Sequence, residues 1–565
     1  MYKMEKIEPV GADGVYDATE ARARTFVLQL AWLVPCLLVF VFFFQANFRA
    51  LHMPEAMEAA QLARHISRGE GYTTSLLRPL TLHAERPVTA QPETLHAPLY
   101  PLVLAVAFNL FAPTDRTVAL VATLCGMLTA LLTYLLGRRL LDRTTAGLAA
   151  AFVSLNVGFL SAGVEGYYLP LLGLLITLLA YLLVRHAGRV RESAWCGAAC
   201  GLLYLAEYAT LPLLLVAGAV VGLGHPARRR AHVLACLAGF VVIAGPWLVR
   251  DWRVSGGPFS TPRACMVASF TDTFPQTSLY RSAPGSAPSS YAYALGHPRQ
   301  VVKKTLRDLG GLEPKIPAVL EGALLLLLGV AVLAKMEGAA RQLRWAMLGG
   351  AGLIVLNLAV GEPSFDVLYG FLGAAAVLSA VGLRQVLQAR ALSPRSTTAI
   401  LACVLCVAAF QLVLTVALQV PPSTPDRGSL NFLGKELPKD ALVVTDEPWT
   451  VAWYADRVAL WLPKESDPPR GQQVTAEMID TTRQPEFLAI ERLGFRPSAI
   501  LLTSRLPSYR EGEGMTRWQM LRQALGQQIM SNQAPWAPAG WKVTNTFAPA
   551  EMLLQRTGVS GRPEG

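Results

Sequence analysis

Long apolar runs separated by short arginine-bearing connections fill most of the first 420 residues. The first covers 26–47; the later ones cover 98–113, 117–137, 145–162, 167–184, 193–207, 209–223, 232–249, 316–334, 345–361, 365–383 and 398–419. Runs of this kind are the pattern of helices that cross a bilayer. Segment 98–113, bracketed by Pro98, Pro101 and Pro113, reads as interfacial. The run 193–223 reads as a hairpin of two short helices turning near Glu207 and Pro212. The expectation is a polytopic α-helical membrane protein with about 11 transmembrane helices. A polar tail, 1–25, carries Arg22 and Arg24 just before the first run, which makes 26–47 an uncleaved signal anchor with a cytoplasmic N-terminus.

Past residue 420 the pattern changes. Residues 441–446, 457–463 and 498–504 have the composition of strands, and 448–455, 485–494 and 514–530 that of helices. Alternation of this kind predicts a small α/β domain over 421–565, following a transmembrane domain over 26–420. The tail carries no glycine-rich phosphate fingerprint. Between runs, the longest connections are 48–116, with interfacial helices, and 250–315, which contains the loop signals of 275–290.

The most informative connection is 54–101. Pro54 suits a first helical turn. Ala59, Leu62, Ala63 and Ile66 then form one apolar stripe, Arg64 and Arg68 lie opposite, and Gly69 and Gly71 end the helix. Glu55, four residues before Ala59, is expected to direct its carboxylate toward the packed side.

Composition agrees with the membrane reading: 53% of residues are hydrophobic and 16% charged. The net charge of +11 lies largely in short clusters, at Arg138/Arg139/Arg143, Arg185/Arg189/Arg191, Arg228/Arg229/Arg230, Lys335/Arg341/Arg344 and Arg384/Arg390/Arg395. Placing these clusters in the cytoplasm puts 48–116, the turns at Glu165 and Glu207, 250–315, the turn 361–366 and the C-terminal tail outside. That distribution points to membrane lipids as partners and away from nucleic acid; it says nothing of protein partners. All eight cysteines except Cys265 lie in apolar runs, and no disulfide framework or metal-ligand spacing follows from them. A divalent cofactor is left open, with no ligand cluster in the sequence to support one.

Charges beside an apolar zone are candidates for function. Glu55 is one, with capping of its helix dipole as the plain alternative. Glu165 sits between glycines at the end of an apolar run and also suits a boundary residue reaching for water. Glu207 has apolar neighbours and suits pairing with an arginine of the outer loops. Glu58 reads as a partner for a nearby base. Arg78, Arg86, His96 and Arg250 form a basic set in the outer connections, with Arg253, Arg281, Arg299, Lys303 and Lys304 beside it. Arginine's planar fork suits phosphate oxygens; the plain alternative is unspecific contact with anionic headgroups.

Taken in order, these motifs resemble the GT-C superfamily of integral-membrane glycosyltransferases, with the closest likeness to glycosyltransferase family 39, the protein O-mannosyltransferases and the lipid A aminoarabinose transferases. Glu55 takes the place of the family's first-loop aspartate, followed by Ala63-Arg64 and Gly69-x-Gly71-Tyr72. His96-Ala97-Pro98-Leu99-Tyr100 resembles its basic-x-P-L-Y motif, and Pro246-Trp247-Leu248-Val249-Arg250-Asp251 its P-W-x-x-R-N motif. The tail phrase at 443–463 is similar to the family's extracytoplasmic domain. Ala56 stands where the family has a second acid, and Glu207 where many relatives have arginine.

The resemblance implies transfer of a sugar, hexose or pentose, from a polyprenyl-phosphate-linked donor to a lipid, glycan or protein acceptor in cell-envelope assembly. It implies Glu55 as general base with Glu165 as a second acid, and Arg250 and His96 near the donor phosphate. Arg78, Arg86, Tyr100 and Glu207 are placed among the substrate-binding residues. The setting implied is the bacterial inner membrane, with the C-terminal domain periplasmic or extracellular. A lipid or glycan transporter, or a non-catalytic component of surface-polysaccharide assembly, is the alternative.

Overall fold

The computed structural model describes residues 31–255, 262–390, 393–418, 427–464, 480–503, 516–531, 537–547 and 551–557. These include the candidate site residues; the expected cytoplasmic tail 1–25, the start of the first apolar run at 26–30, and residues 504 and 514–515 at the ends of an expected strand and helix lie outside the described residues.

The helical part begins with α1 (Ala31–Asn47) and α2 (Pro54–Ser67). A loop with three two-residue strands follows, β1 (Thr73–Thr74), β2 (Leu76–Leu77) and β3 (Gln91–Pro92), and leads into α3 (Leu99–Leu110). Twelve residues in α3 rise only about 18 Å, too short for a bilayer core. The bundle then runs through α4 (Asp115–Leu140), α5 (Arg143–Leu155), α6 (Val157–Val164), α7 (Leu169–Arg185), α8 (Val190–Ala206), α9 (Pro212–Gly224) and α10 (Arg229–Ser255). After the second long connection, which holds α11 (Ser290–Gly296) and α12 (Pro298–Gly310), come α13 (Lys315–Leu320), α14 (Gly322–Leu333), α15 (Gly338–Val360), α16 (Leu372–Ala389) and α17 (Pro394–Leu418).

Among the described residues, five helices are long and apolar enough to cross a membrane, or six if the bent pair α5–α6 counts as one. The expectation of about eleven spans is larger because several expected spans are broken. Asn156 caps α6 and bends the α5–α6 pair by 55°. Glu321, at φ 53°, separates α13 from α14, and its carboxylate accepts from the Val157 N–H at 2.7 Å. Glu207 ends α8 in extended backbone before a single 3₁₀ turn restarts the chain as α9.

Small residues let α8 and α10 approach closely. A Cβ added at Gly197 would overlap the Cys236 carbonyl oxygen, and one at Gly239 would overlap that of Ala194. Such backbone-to-backbone contact is how helices associate where lipid removes the hydrophobic drive.

Beyond α18 (Gly428–Glu436), β4 (Leu442–Thr445), β5 (Val458–Trp461) and β6 (Ala499–Leu502) occupy the three segments read as strands, with α19 (Pro485–Arg492) and α20 (Arg517–Met530) at two of the expected helices. Between β4 and β5 the chain makes one α-helical turn and then a π-helix over Val451–Ala455. A hairpin of β7 (Trp541–Phe547) and β8 (Glu551–Arg556) completes the sheet, in the order β2-β5-β4-β6-β8-β7. Strands β2, β5, β4 and β6 are parallel, and β8 and β7 antiparallel. The edge strand β2 comes from the connection between α2 and α3, so the sheet closes only when that connection joins it.

Replacing Gly239 with leucine is expected to destabilise the fold by about 1–3 kcal/mol or more, as overpacking does. Thermal unfolding of the purified chain in detergent checks this, with Gly218→Leu, which meets open space, expected to change little.

Candidate functional site

Helix α2 is enclosed on most sides. Ala56, Met57, Ala60, Leu62 and Ala63 are fully buried, and so are the polar side chains of Glu58, Gln61, Arg64 and His65. Its least buried line runs through Glu55, Ala59 and Ile66. This corrects the expected orientation in part: Leu62 and Ala63 of the expected stripe are packed, but Ala59 and Ile66 are half-open and Glu55 lies on their side, while Arg64, assigned to the charged side, is covered by the C-terminal domain. Arg64 donates to the carbonyls of Trp453 (2.8 Å) and Ala452 (2.6 Å) and pairs with Asp456 at 3.0 Å. Glu55 is accordingly exposed.

Beside Glu55 lies an ion set built on two buried members, Glu58 and Arg78, and a half-buried one, His96. Glu58, 5% exposed, binds the Arg78 guanidinium at 2.7 Å and the His96 imidazole through its other oxygen. Burial alone would raise the Glu58 carboxyl, but Arg78 and His96 outweigh it and hold it at about 2. Burial likewise opposes charge on His96, yet Glu58 leaves its imidazole above the ordinary value. The Glu55 carboxyl is raised, by the protein atoms crowded around it and then by the charges of Glu58 and Asp366.

Other acids converge on the same end of the bundle. Burial and then the neighbouring Glu55 push Glu165 up to about 7. Glu207 accepts from the Tyr168 hydroxyl at 2.8 Å and the Ala209 N–H at 3.0 Å. Glu362 accepts from the Tyr280 hydroxyl and has Arg78, Glu207 and His96 as electrostatic neighbours. Asp366 pairs with Lys315 at 2.8 Å. The sequence reading missed Glu362, Asp366 and Tyr280; the visible signal was two acids in the turn that joins the apolar runs 345–361 and 365–383.

The remaining candidates have positioning contacts. Arg250 donates to the Glu93 carbonyl (2.7 Å) and the Tyr72 carbonyl (3.2 Å), and its guanidinium lies over the Trp247 and Tyr72 rings at 4.8 and 5.3 Å. It ties α10 to the loop that carries His96. The hydroxyls of Tyr72 and Tyr208 both donate to the His96 carbonyl at 3.2 Å. Tyr100 is buried, and its hydroxyl donates to the Gly166 carbonyl at 2.7 Å, fixing the turn after Glu165. Arg86 is exposed, and its charge is felt at His83 rather than among the acids.

Two further cations hold the second long connection in place. Arg281 donates to the Leu462 and Pro463 carbonyls at 2.6 and 3.1 Å, next to β5. Lys304, 2% exposed, donates to the Val360 carbonyl at 3.1 Å and to that of Gly361, and burial pulls its ammonium down to about 8. The sequence offered both as surface charge near a phosphate; the structure uses them inside.

Residues 95–252 match the family model for dolichyl-phosphate-mannose-protein mannosyltransferase. The fold is similar to ArnT from Cupriavidus metallidurans in the apo state, at a TM-score of 0.53 and 14% identity over 94% of this chain and 98% of that one. It is similar as well to ArnT bound to undecaprenyl phosphate (TM-score 0.50, 14% identity, 95% and 100% covered). Archaeal oligosaccharyltransferase AglB from Archaeoglobus fulgidus, in complex with an inhibitory peptide and a dolichol-phosphate, matches at a TM-score of 0.50 and 13% identity over 85% of this chain and 70% of that one. No curated protein sequence matches the chain. These findings bear out the resemblance to the GT-C superfamily: the architecture is the helical, membrane-type GT-C fold.

Glu58→Ala leaves Arg78 buried without its carboxylate and is expected to cost about 3–5 kcal/mol of stability, whereas Arg86→Ala is expected to stay within about 0.5 kcal/mol. Denaturant unfolding in mixed micelles measures both.

Proposed function

We propose that this GT-C chain transfers a sugar from a polyprenyl-phosphate-linked donor to a lipid, glycan or protein acceptor, with Glu55 as general base. The observation that carries the reading is the exposed Glu55 beside the buried Glu58–Arg78 pair and the partly open His96 that Glu58 holds. The undecaprenyl phosphate and dolichol-phosphate of the similar structures support the donor class.

The chemistry follows from the two halves of that arrangement. The acceptor's hydroxyl or amine attacks the anomeric carbon, its proton passes to the Glu55 carboxylate, and the bond from carbon to phosphate oxygen breaks. Charge growing on the departing polyprenyl phosphate needs a cation held in place. His96 is partly exposed, with 35% of its side chain open, while Glu58 holds one ring nitrogen; the other N–H is available to a phosphate oxygen. A single displacement of this kind inverts the anomeric centre. Glu165, whose pKa lies near neutrality, sits beside Glu55 and shares the proton-handling region.

The acidic end is the extracytoplasmic end in this reading, because the arginine-rich connections occupy the other end of the same helices. The C-terminal sheet, joined to the acidic end through β2, then lies outside the bacterial inner membrane.

Glu55→Gln is expected to lower turnover by about 10²–10⁴-fold, the range for a lost general base, in proteoliposomes supplied with defined polyprenyl-phosphate sugars; undiminished transfer removes Glu55 from the reaction. The active form needs Glu55 ionised and His96 protonated, so the rate should rise with pH through the raised Glu55 pKa. It should then fall as pH passes the raised His96 pKa, above the ordinary histidine value of about 6.5. Glu58→Gln removes the charge that sustains His96⁺, and the falling limb is expected to move to lower pH.

A further inference from the structure

At the opposite end from the acids, three histidines come together. Glu165 precedes the N-terminus of α7, while His186 caps its C-terminus, 17 residues or about 25 Å away. His225 follows α9, and His232 lies in the first turns of α10, 1% exposed. Their ring centroids are 4.5, 4.8 and 5.5 Å apart, and one ligand atom from each lies within 4.8 Å of the others.

We infer that His186, His225 and His232 bind a first-row transition-metal dication of the Zn²⁺ class, with a fourth position left to water or an anion. Imidazole nitrogens suit such an ion, and three of them with one open position is a known coordination pattern. Metal–nitrogen bonds of about 2.0–2.1 Å bring ligand nitrogens to roughly 3.4 Å, a closure that side-chain rotation supplies.

The surroundings are those a histidine site needs. A ligating imidazole donates its second N–H to an oxygen that fixes its orientation. The Ser193 hydroxyl oxygen lies 2.9 Å from His186 Nε2 and 2.8 Å from His232 Nδ1, so it can accept from both. The Val221 carbonyl lies 3.2 Å from His225 Nδ1. That leaves His186 Nδ1, His225 Nε2 and His232 Nε2 for the ion. The Gly188 N–H donates to His186 Nδ1 at 3.2 Å, the contact the ion replaces. Gly188 itself, at φ +85°, would place a Cβ 2.9 Å from His225 Nε2, so a larger residue there would crowd the cradle. Arg189 and Arg228, in the same two connections, favour an anion as the fourth ligand.

The ion would clasp the α7–α8 connection to the α9–α10 connection, independently of any sugar transfer. The test is a Co²⁺ titration of the full chain in detergent, purified through a tag without histidine. One equivalent should bind at micromolar ion, with visible d–d bands of a four- or five-coordinate site, and Zn²⁺ should displace it. His225→Ala and His232→Gln should each remove the bands, and Ser193→Ala should weaken binding about 10–100-fold. Thermal unfolding without metal verifies that the variants fold; if His225→Ala does not, His186→Asn replaces it. Absence of stoichiometric binding to the wild-type chain, or bands that persist in both histidine variants, overturns the inference.

Discussion

The Glu58 carboxylate, closed off from water and held between Arg78 and His96, is the contact on which the acidic end depends. An ion of this sort is stable inside a protein only while its partners stay in place. The three residues come from α2, from the chain just after β2 and from the chain just before α3. One electrostatic contact therefore fixes three points of a connection that has very little regular structure of its own. It also bears on the neighbouring groups: against the effect of burial, Glu58 raises the His96 pKa, and it adds to the burial that raises that of Glu55.

That ion set is in turn held by the C-terminal sheet. Arg78 lies over the Trp461 ring at 6.0 Å, at the end of β5, while β2 pairs along the same strand. On the other flank Asp115, at the start of α4, accepts from Trp453 Nε1 at 2.7 Å and the Tyr454 hydroxyl at 3.1 Å, and pairs with Arg427 at 2.9 Å. Helix α2 is thus gripped between the bundle and the sheet, which fixes where Glu55 stands. The open line of the helix is the one line that neither neighbour covers.

The two ends of the bundle differ in chemistry for the same physical reason. Carboxylates that crowd together in partly desolvated turns repel one another and hold protons more tightly. The other end carries arginines in its short connections and gathers His186, His225 and His232. In the proposed function the first end handles protons beside a phosphate, while the second brings three imidazoles together.

Much of the architecture was legible in the chain itself. Apolar runs, proline brackets and arginine clusters located the helices and their ends, because bilayer cost acts on each segment separately. The strands β4, β5 and β6 were visible for the same local reason. Glu55, Glu165 and His96 stood out as charges beside apolar stretches, and Glu58 as a partner for a base. The tertiary structure alone decided which side of α2 is open, since that depends on where the turn between β4 and β5, 388 residues from Arg64 at Ala452, comes to rest. It also turned Arg250, Tyr100, Arg281 and Lys304 into fasteners of backbone carbonyls, recruited β2 into a distant sheet, and brought His186, His225 and His232 together. None of these leaves a local spacing to read, because each is a contact between segments that meet only after the helices have packed.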